Sequence, residues 1–372
     1  MTPMILGAGP AGSAAAITLA QAGIRAMLIE RHREMPDAIC GGFLSWRTIR
    51  SLAALGIDPA ALGDARIGTV RLFASGRVVE APLPAPALGV SRRHLDTVLL
   101  DSAIRRGVAV ERGVAVRAIE PRGLRTADGA ILSPDALFLA SGKHDVRGGA
   151  RPAAARGDDP SLGLRWRRGP CATLSRLVGD RIELHLFDRG YAGVVRQEDG
   201  STNICLVVRG SRWDEAGSVA SLRESLARES PALGERLTGG DAIGDGDAIA
   251  NIPYGWRARS GAAGVFRLGD QAAVIPSLAG EGVGIALASG RSAATAFASG
   301  GAAAAPAWQR DFARRARRPL AIAAGVRHLA ERPARSAGWL PLAARLHLIG
   351  MVAAMTRIDH DRPLNHSPNP SH

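Results

Sequence analysis

Met4-Ile5-Leu6-Gly7-Ala8-Gly9-Pro10-Ala11-Gly12 stands near the start of the chain, and an Ala-rich run, Gly23 and Met27-Leu28-Ile29-Glu30 follow it. The pattern predicts a strand, a glycine turn, a helix and a second strand that ends in an acid. Each glycine answers a physical need. Gly7 permits the tight turn out of the strand, Gly9 brings the backbone up to a pyrophosphate, and Gly12 lets the helix pack closely on the sheet. With Pro10 and Ala11 in its first turn, the helix offers free N–H groups and a positive dipole end to phosphates. Glu30 lies eighteen residues past Gly12, where a carboxylate accepts hydrogen bonds from an adenosine ribose and repels a 2′-phosphate. The stretch therefore predicts a dinucleotide site; alone it does not separate NAD from FAD. Pro3 shortens the first strand.

The whole chain narrows the function classes. Its 372 residues, 46% of them hydrophobic, suffice for one large or two intertwined globular domains. The formal charge is +13, and Lys143 is the one lysine among 47 basic residues. The arginines are scattered, except for Arg310, Arg314, Arg315, Arg317 and Arg318. With aromatics at only 4%, no basic face interleaved with stacking rings is visible, which argues against nucleic acid. An anionic cofactor or an anionic membrane surface fits the charge better. Cys40, Cys171 and Cys205 are odd in number and far apart, so neither a disulfide framework nor a metal site is expected, and a reducing cytoplasm fits. No signal-peptide pattern precedes the first strand, and no uncharged apolar run reaches the roughly 18 residues of a membrane span.

Along the chain, Cys40-Gly41-Gly42 precedes a helical pattern at Trp46, Ile49, Leu52 and Leu55. It reads either as a small buried cysteine in a turn or as a loop that approaches a flat ligand. Residues 66–90 read as a hairpin around Gly76. Ser91 caps a helix whose mouth carries Arg92, a solvated arginine or a phosphate and ribose ligand. Val108 to Val116 and Ala130 to Ala140 read as strands, the second ending Ala140-Ser141-Gly142, where doubly wound sheets meet ligands. Lys143 and His144 then read as a solvated loop. Residues 146–160 are a crossover, and 162–208 an antiparallel sheet. Residues 218–237 read as helix, and Gly239 to Asp247 as a turn, since calcium-loop spacing is lacking. Val265 to Asp270 is a strand ending Gly269-Asp270. Pro276 and Gly280-Glu281-Gly282-Val283-Gly284 then open a second glycine-rich helix start. Residues 339–358 read as a core-packing helix or as an amphipathic interfacial or lid helix.

Taken together, Gly7 to Glu30, Arg92, Ala140 to Gly142 and Gly269-Asp270 resemble the FAD-dependent oxidoreductases of the para-hydroxybenzoate hydroxylase fold, over about residues 4–300. Cys40-Gly41-Gly42 is similar to the geranylgeranyl reductase branch. The resemblance implies an α/β fold: a doubly wound, three-layer Rossmann-like FAD-binding domain, an inserted mainly antiparallel β substrate domain and a helical C-terminal tail. It divides the chain into FAD-binding segments 1–70, 88–150 and 250–305, substrate segments 71–87 and 151–249, and the tail 306–372. It implies that Gly7, Gly9, Gly12, Glu30 and Arg92 bind the ADP half, with Pro10, Ala11 and Arg31 also at the cofactor. Asp270 would bind the ribityl chain or pyrophosphate, with Ala140, Gly142 and Gly269 also at the cofactor. Pro276, Gly280, Gly282, Val283 and Gly284 would lie at the isoalloxazine ring, with Cys40 and Gly41 nearby.

For function, the resemblance implies an FAD enzyme with NAD(P)H as a transient reductant. The Tyr-x-Trp-x-Phe-Pro substrate motif of geranylgeranyl reductases is missing; Gly190-Tyr191-Ala192-Gly193 stands in its region. The Trp-x-Trp-x-Ile-Pro pattern of flavin halogenases is missing too. The expectation is therefore a monooxygenase that hydroxylates a hydrophobic aromatic or polyketide-type secondary metabolite through a flavin C4a-hydroperoxide. Reduction of an isoprenoid or polyketide double bond is the alternative, with Cys40 or Tyr191 as acid. A non-catalytic FAD-binding partner in a biosynthetic assembly is the alternative from another class. A cytoplasmic protein with peripheral membrane contact through its C-terminal helices is expected.

Overall fold

The protein is described by a computed structural model covering residues 2–358; residues 359–372, the end of the expected helical tail, lie outside the described residues. The opening stretch folds as its steric demands require: β1 (Met4–Leu6), α1 (Pro10–Gln21) and β2 (Met27–Glu30). Next come β3 (Phe43–Leu44), α2 (Trp46–Ala54), the hairpin β4 (Arg66–Ala74) and β5 (Arg77–Gly89), and α3 (Arg92–Arg105), which Ser91 caps through His94 N–H. After β6 (Ala109–Arg112), the strands β7 (Val116–Glu120), β8 (Gly123–Thr126) and β9 (Ile131–Leu132) form a small antiparallel sheet, and β10 (Leu137–Leu139) returns to β1. Two expected strands are thus each divided. Gly113, with φ +77°, turns the chain from one sheet to another, and Pro134, which has no N–H, separates β9 from β10.

Beyond residue 160 the second sheet is built from β11 (Ser161–Arg168), β12 (Arg181–Phe187), β13 (Gly190–Arg196), β14 (Thr202–Arg209) and β15 (Ala242–Ile252). The hairpin β4–β5 and β3 complete it, in the order β15-β11-β14-β13-β12-β4-β5-β3. One pair, β12 with β4, is parallel; the others are antiparallel. The expected turn at 239–247 is instead the first half of an edge strand. Gly244 and Gly246 take φ of +71° and +95°, and β15 follows β11 only through shifts in register. A Cβ on Gly246 would lie 2.8 Å from the Trp166 ring, so glycine allows this edge to close.

The outer face of the sheet is covered by α4 (Ala172–Val178), α5 (Gly210–Ala216), α6 (Val219–Glu229) and α7 (Pro231–Thr238). The helical segment expected at 218–237 divides at Pro231. Leu164, Phe187, Ile204, Leu206, Leu226 and Leu233 form that core. Beneath it, Glu183 takes hydrogen bonds from both Arg71 and Arg236. Burial pushes the Glu183 carboxyl up, but hydrogen bonds from His185 and Arg236 outweigh it and hold it at about 2.

The chain then returns to the first sheet through β16 (Val265–Arg267), giving the parallel order β16-β10-β1-β2-β6. α8 (Gly282–Gly300) lies beside α1. α9 (Ala305–Ala330), α10 (Pro333–Ser336), α11 (Leu340–Arg345) and α12 (Leu348–Met355) complete the described chain. Residues 339–358 are not one helix: His347 takes φ +56°, and the chain bends by 98° between the segments on either side. Leu340 and Ile349 pack on Val70, Leu72 and Leu184 of the large sheet.

A Cβ at Gly290 would sit 2.2 Å from the Ala11 carbonyl oxygen, whereas one at Gly325 would meet nothing within 4 Å. Gly290→Ala is therefore expected to destabilise the protein by about 1–3 kcal/mol through overpacking. Gly325→Ala, inside α9, should stabilise it by about 0.5–1 kcal/mol. Thermal unfolding of the two variants, read by circular dichroism, checks both signs.

Candidate cofactor site

Gly7 leaves β1 at φ +107°, with its Cα so close to Ala140 that a Cβ would lie 2.6 Å from that carbonyl oxygen. A Cβ at Gly12 would be 1.9 Å from Gly7 O. These two contacts press the turn, the β10 terminus and α1 together. Gly9 is the helix N-cap; α1 has no side-chain cap and no acid in its first turn, so its leading N–H groups remain available to an anion. Glu30 is buried at the end of β2. Its Oε2 accepts the Ala8 N–H at 2.8 Å and its Oε1 the His32 N–H at 3.0 Å, leaving further lone pairs for hydroxyl donors.

Arg92 lies over Gly9, where a Cβ would meet its Nη2 at 3.3 Å. Its guanidinium is fixed by Asp96, with Nη2–Oδ2 at 2.7 Å. Burial opposes its charge, but Asp96 outweighs burial and raises its pKa above the ordinary arginine value. Arg31, by contrast, is exposed and donates to His32. On the other side of the turn, Gly269 donates to Ser289 Oγ at 2.8 Å, and Gly142 accepts from Gln271. Lys143, read from sequence as a solvated loop residue, reaches Asp270 at 3.3 Å.

A second uncapped helix start faces the same region. α8 has no side-chain cap and no acid in its first turn. Built Cβ atoms at Gly41 and Gly282 would meet nothing within 4 Å, so two glycine loops border open space. At Gly284 a Cβ would lie 2.5 Å from Glu281 Oε1, so this glycine makes room for the Glu281 side chain. Pro276 introduces the short turn before Gly280, and Val283 is buried in the first turn of α8.

The inner face of the large sheet closes the space. Alternation along β14 puts Asn203, Cys205 and Val207 on that face, opposite Arg165 of β11 and Tyr191 and Gly193 of β13. Asn203 Nδ2 donates to Cys40 O at 3.0 Å, while its buried Oδ1 has no partner among the described residues. Arg165 donates to the carbonyls of Asp37 and Ala38. Burial pushes the Cys205 thiol up to about 12. Cys40 Sγ accepts the Gly42 N–H at 3.5 Å. Tyr191 is buried; its hydroxyl lies 2.7 Å from Ser277 Oγ and accepts the Leu278 N–H. Burial raises this phenol well above its usual pKa, and the hydroxyl braces the turn before Gly280.

Sequence reasoning did not single out Asn203, Cys205 or Arg165; the two-residue period of β14 was the signal available for the first two. It also missed Glu281 with Arg357. Arg357 donates to Ala279 O, Gly280 O and Glu281 Oε2 at 2.8–2.9 Å, and the Ile358 N–H donates to Glu281 Oε1. No local pattern joins positions so far apart. Two clefts lie away from this space: one of about 740 Å³ by Arg209, Tyr254, Trp256 and Arg257, another of about 380 Å³ by Asp64 and Arg196.

The residues fit FAD. Two helix N-termini without side-chain caps suit a pyrophosphate and an electron-rich ring edge, Glu30 and Asp270 suit hydroxyls, and Gly41 and Gly282 leave room for a flat ligand. Glu30→Ala is expected to weaken FAD binding about 10–100-fold, from the loss of charged hydrogen bonds worth about 1.5–3 kcal/mol; titration of apoprotein with FAD measures it. Arg357→Met leaves the Glu281 carboxylate buried without this partner and should cost about 3–5 kcal/mol. The double variant Glu281→Gln, Arg357→Met should regain part of that stability and of the retained flavin, and a double-mutant cycle reads the coupling.

Residues 1–131 match the family model described as FAD binding domain. The menaquinone reductase of Mycolicibacterium smegmatis is 29% identical over 328 residues, 80% of this chain and 76% of the relative. Digeranylgeranylglycerophospholipid reductase 2 of Methanopyrus kandleri is 26% identical over 310 residues, 77% and 74% of the two chains. Among solved structures, a flavoprotein/dehydrogenase from Cytophaga hutchinsonii superposes with a TM-score of 0.77 at 18% identity, covering 95% of this chain and 93% of that one. The flavin-dependent brominase Bmp2 gives 0.71 at 16% identity, over 96% and 95%. At those identities the structures speak for the fold alone.

Proposed function

We propose that this chain, an FAD-dependent oxidoreductase of the para-hydroxybenzoate hydroxylase fold, reduces a carbon–carbon double bond in a long aliphatic, isoprenoid-type substrate. The observation that carries the reading is the aliphatic inner face of the large sheet, on which the C-terminal helices pack. Val70, Leu72, Ile182 and Leu184 meet Leu340 and Ile349 there, and Leu186, Tyr191 and Val207 continue the surface toward Leu278. A face of this composition meets an apolar chain by excluding water rather than by directed hydrogen bonds, and in this structure the helices cover it. Two sequence relatives with broad coverage carry the names of isoprenoid-lipid reductases, which supports the same choice over the hydroxylation preferred from sequence.

Bound FAD, reduced by NAD(P)H, supplies a hydride equivalent. The chain's own residues bind, orient and protonate. Val207 and Gly193 leave a smooth wall beside the thiols, Asn203 and Arg165 hold the Cys40 loop, and Cys40 supplies the proton that completes addition across the double bond. Its thiolate takes a proton back from solvent. Cys205, kept protonated by burial, faces the same space. A second reading, hydroxylation of an aromatic substrate, is supported by the absence of the Tyr-x-Trp-x-Phe-Pro motif, for which Tyr191-Ala192-Gly193 stands.

Flavin reoxidation under two atmospheres tests the choice. Enzyme reduced anaerobically with dithionite should regain its oxidised-flavin absorption when a polyprenyl quinone or geranylgeranyl lipid is added, with a saturated product in mass spectra. Cys40→Ala should slow that step by about 10²–10⁴-fold while FAD is retained. Recovery only with oxygen gas, with an oxygen atom from the gas in the product, would establish hydroxylation instead.

A further inference from the structure

Seven of the twelve exposed large apolar side chains among the described residues fall between Leu329 and Met355. They include Trp339, 71% exposed, Leu342, Leu346, 58% exposed, Met351 and Met355. α12 reads Leu348-Ile-Gly-Met-Val-Ala-Ala-Met355, with no charged or hydrogen-bonding side chain. An ordinary surface helix turns a polar face to water; one apolar all round belongs in an apolar medium on both sides. Here one side is met by the sheet, through Ile349 on Val70 and Leu72, and the other stands open. No single described helix is long and apolar enough to cross a membrane, and the bent pair 333–345 and 348–355 turns through 98°. That shape suits lying in an interface.

Within the segment that carries the patch, residues 332–358, the charges have one sign. Between Arg332 and Ile358 there is no Asp or Glu. Arg332, Arg335 and Arg345 are exposed, and none of the three has a carboxylate partner among the described residues. An apolar surface rimmed by unpaired arginines complements anionic headgroups over acyl chains, each arginine adding about 1 kcal/mol. A second copy of this chain is disfavoured by the same rim, since a two-fold contact sets like charges against each other.

We propose that α10 to α12 form a docking surface for an anionic phospholipid bilayer. Trp339, Leu342, Leu346, Met351 and Met355 insert, and Arg332, Arg335 and Arg345 engage phosphates. The docking stands without the reductase reading. If that reading holds, the helices that roof the aliphatic face are the ones seated in lipid, and an isoprenoid substrate passes from bilayer to site without crossing water.

Sedimentation of the holoenzyme with vesicles tests this, using phosphatidylcholine alone and phosphatidylcholine mixed with phosphatidylglycerol. Binding to the mixed vesicles, weakened by salt, is expected. The triple variant Trp339→Ser, Leu346→Ser, Met351→Ser should bind at least about tenfold more weakly while keeping its FAD content. Arg335→Glu with Arg345→Glu should lose the preference for the anionic lipid. Ile131→Ser, an exposed apolar site elsewhere, should bind as wild type. Failure of the wild type to sediment, or undiminished binding of the triple variant, overturns the proposal. So does a lipid-free dimer, seen by light scattering, that the triple variant dissolves; that outcome assigns the surface to self-association.

Discussion

A Cβ at Gly290 would come within 2.2 Å of the Ala11 carbonyl oxygen and 3.1 Å of the Ala14 Cβ. The backbones of α1 and α8 therefore approach with no room for a side chain at Gly290. Gly269, where a Cβ would lie 3.2 Å from that of Ala11, fits into the same contact. This spacing fixes the distance between the two uncapped helix starts. The parallel strands are only three to four residues long and would tolerate small shifts on their own. Helix contact without intervening side chains removes that freedom.

The opening motif was legible because its demands are local and steric. Gly7, Gly12 and Glu30 are required by contacts reaching no further than the neighbouring strands. Arg92 was legible for a related reason: Ser91 marks the helix start that places it. The Gly-Asp run at 240–247 misled because its residues disfavour strands by propensity, while the exposed edge of β11 imposed pairing on them. Lys143 was passed over as a loop residue because its partner, Asp270, belongs to a strand end more than a hundred residues away. Glu281 with Arg357 is the extreme case. Each is unremarked in its own segment, and only packing of the C-terminal turn against α8 makes them a pair.

The large sheet divides its two faces by chemistry. One carries helices, aliphatic packing and a buried ion cluster in which Arg71 and Arg236 flank Glu183. The other carries Arg165, Asn203 and Cys205 toward the glycine loops and a broad aliphatic area toward α11 and α12. On the polar part of that face, Arg165 and Asn203 hold the Cys40 loop through its carbonyls.

The bond between Arg357 and Glu281 makes the second glycine turn depend on a distant part of the chain. The turn at residues 7–12 and Glu30 draw on contacts within the first sheet and its helix, whereas the turn before α8 takes three hydrogen bonds from Arg357, more than seventy residues further on. A chain cut within α9 would keep both glycine turns and lose the strap that holds one of them.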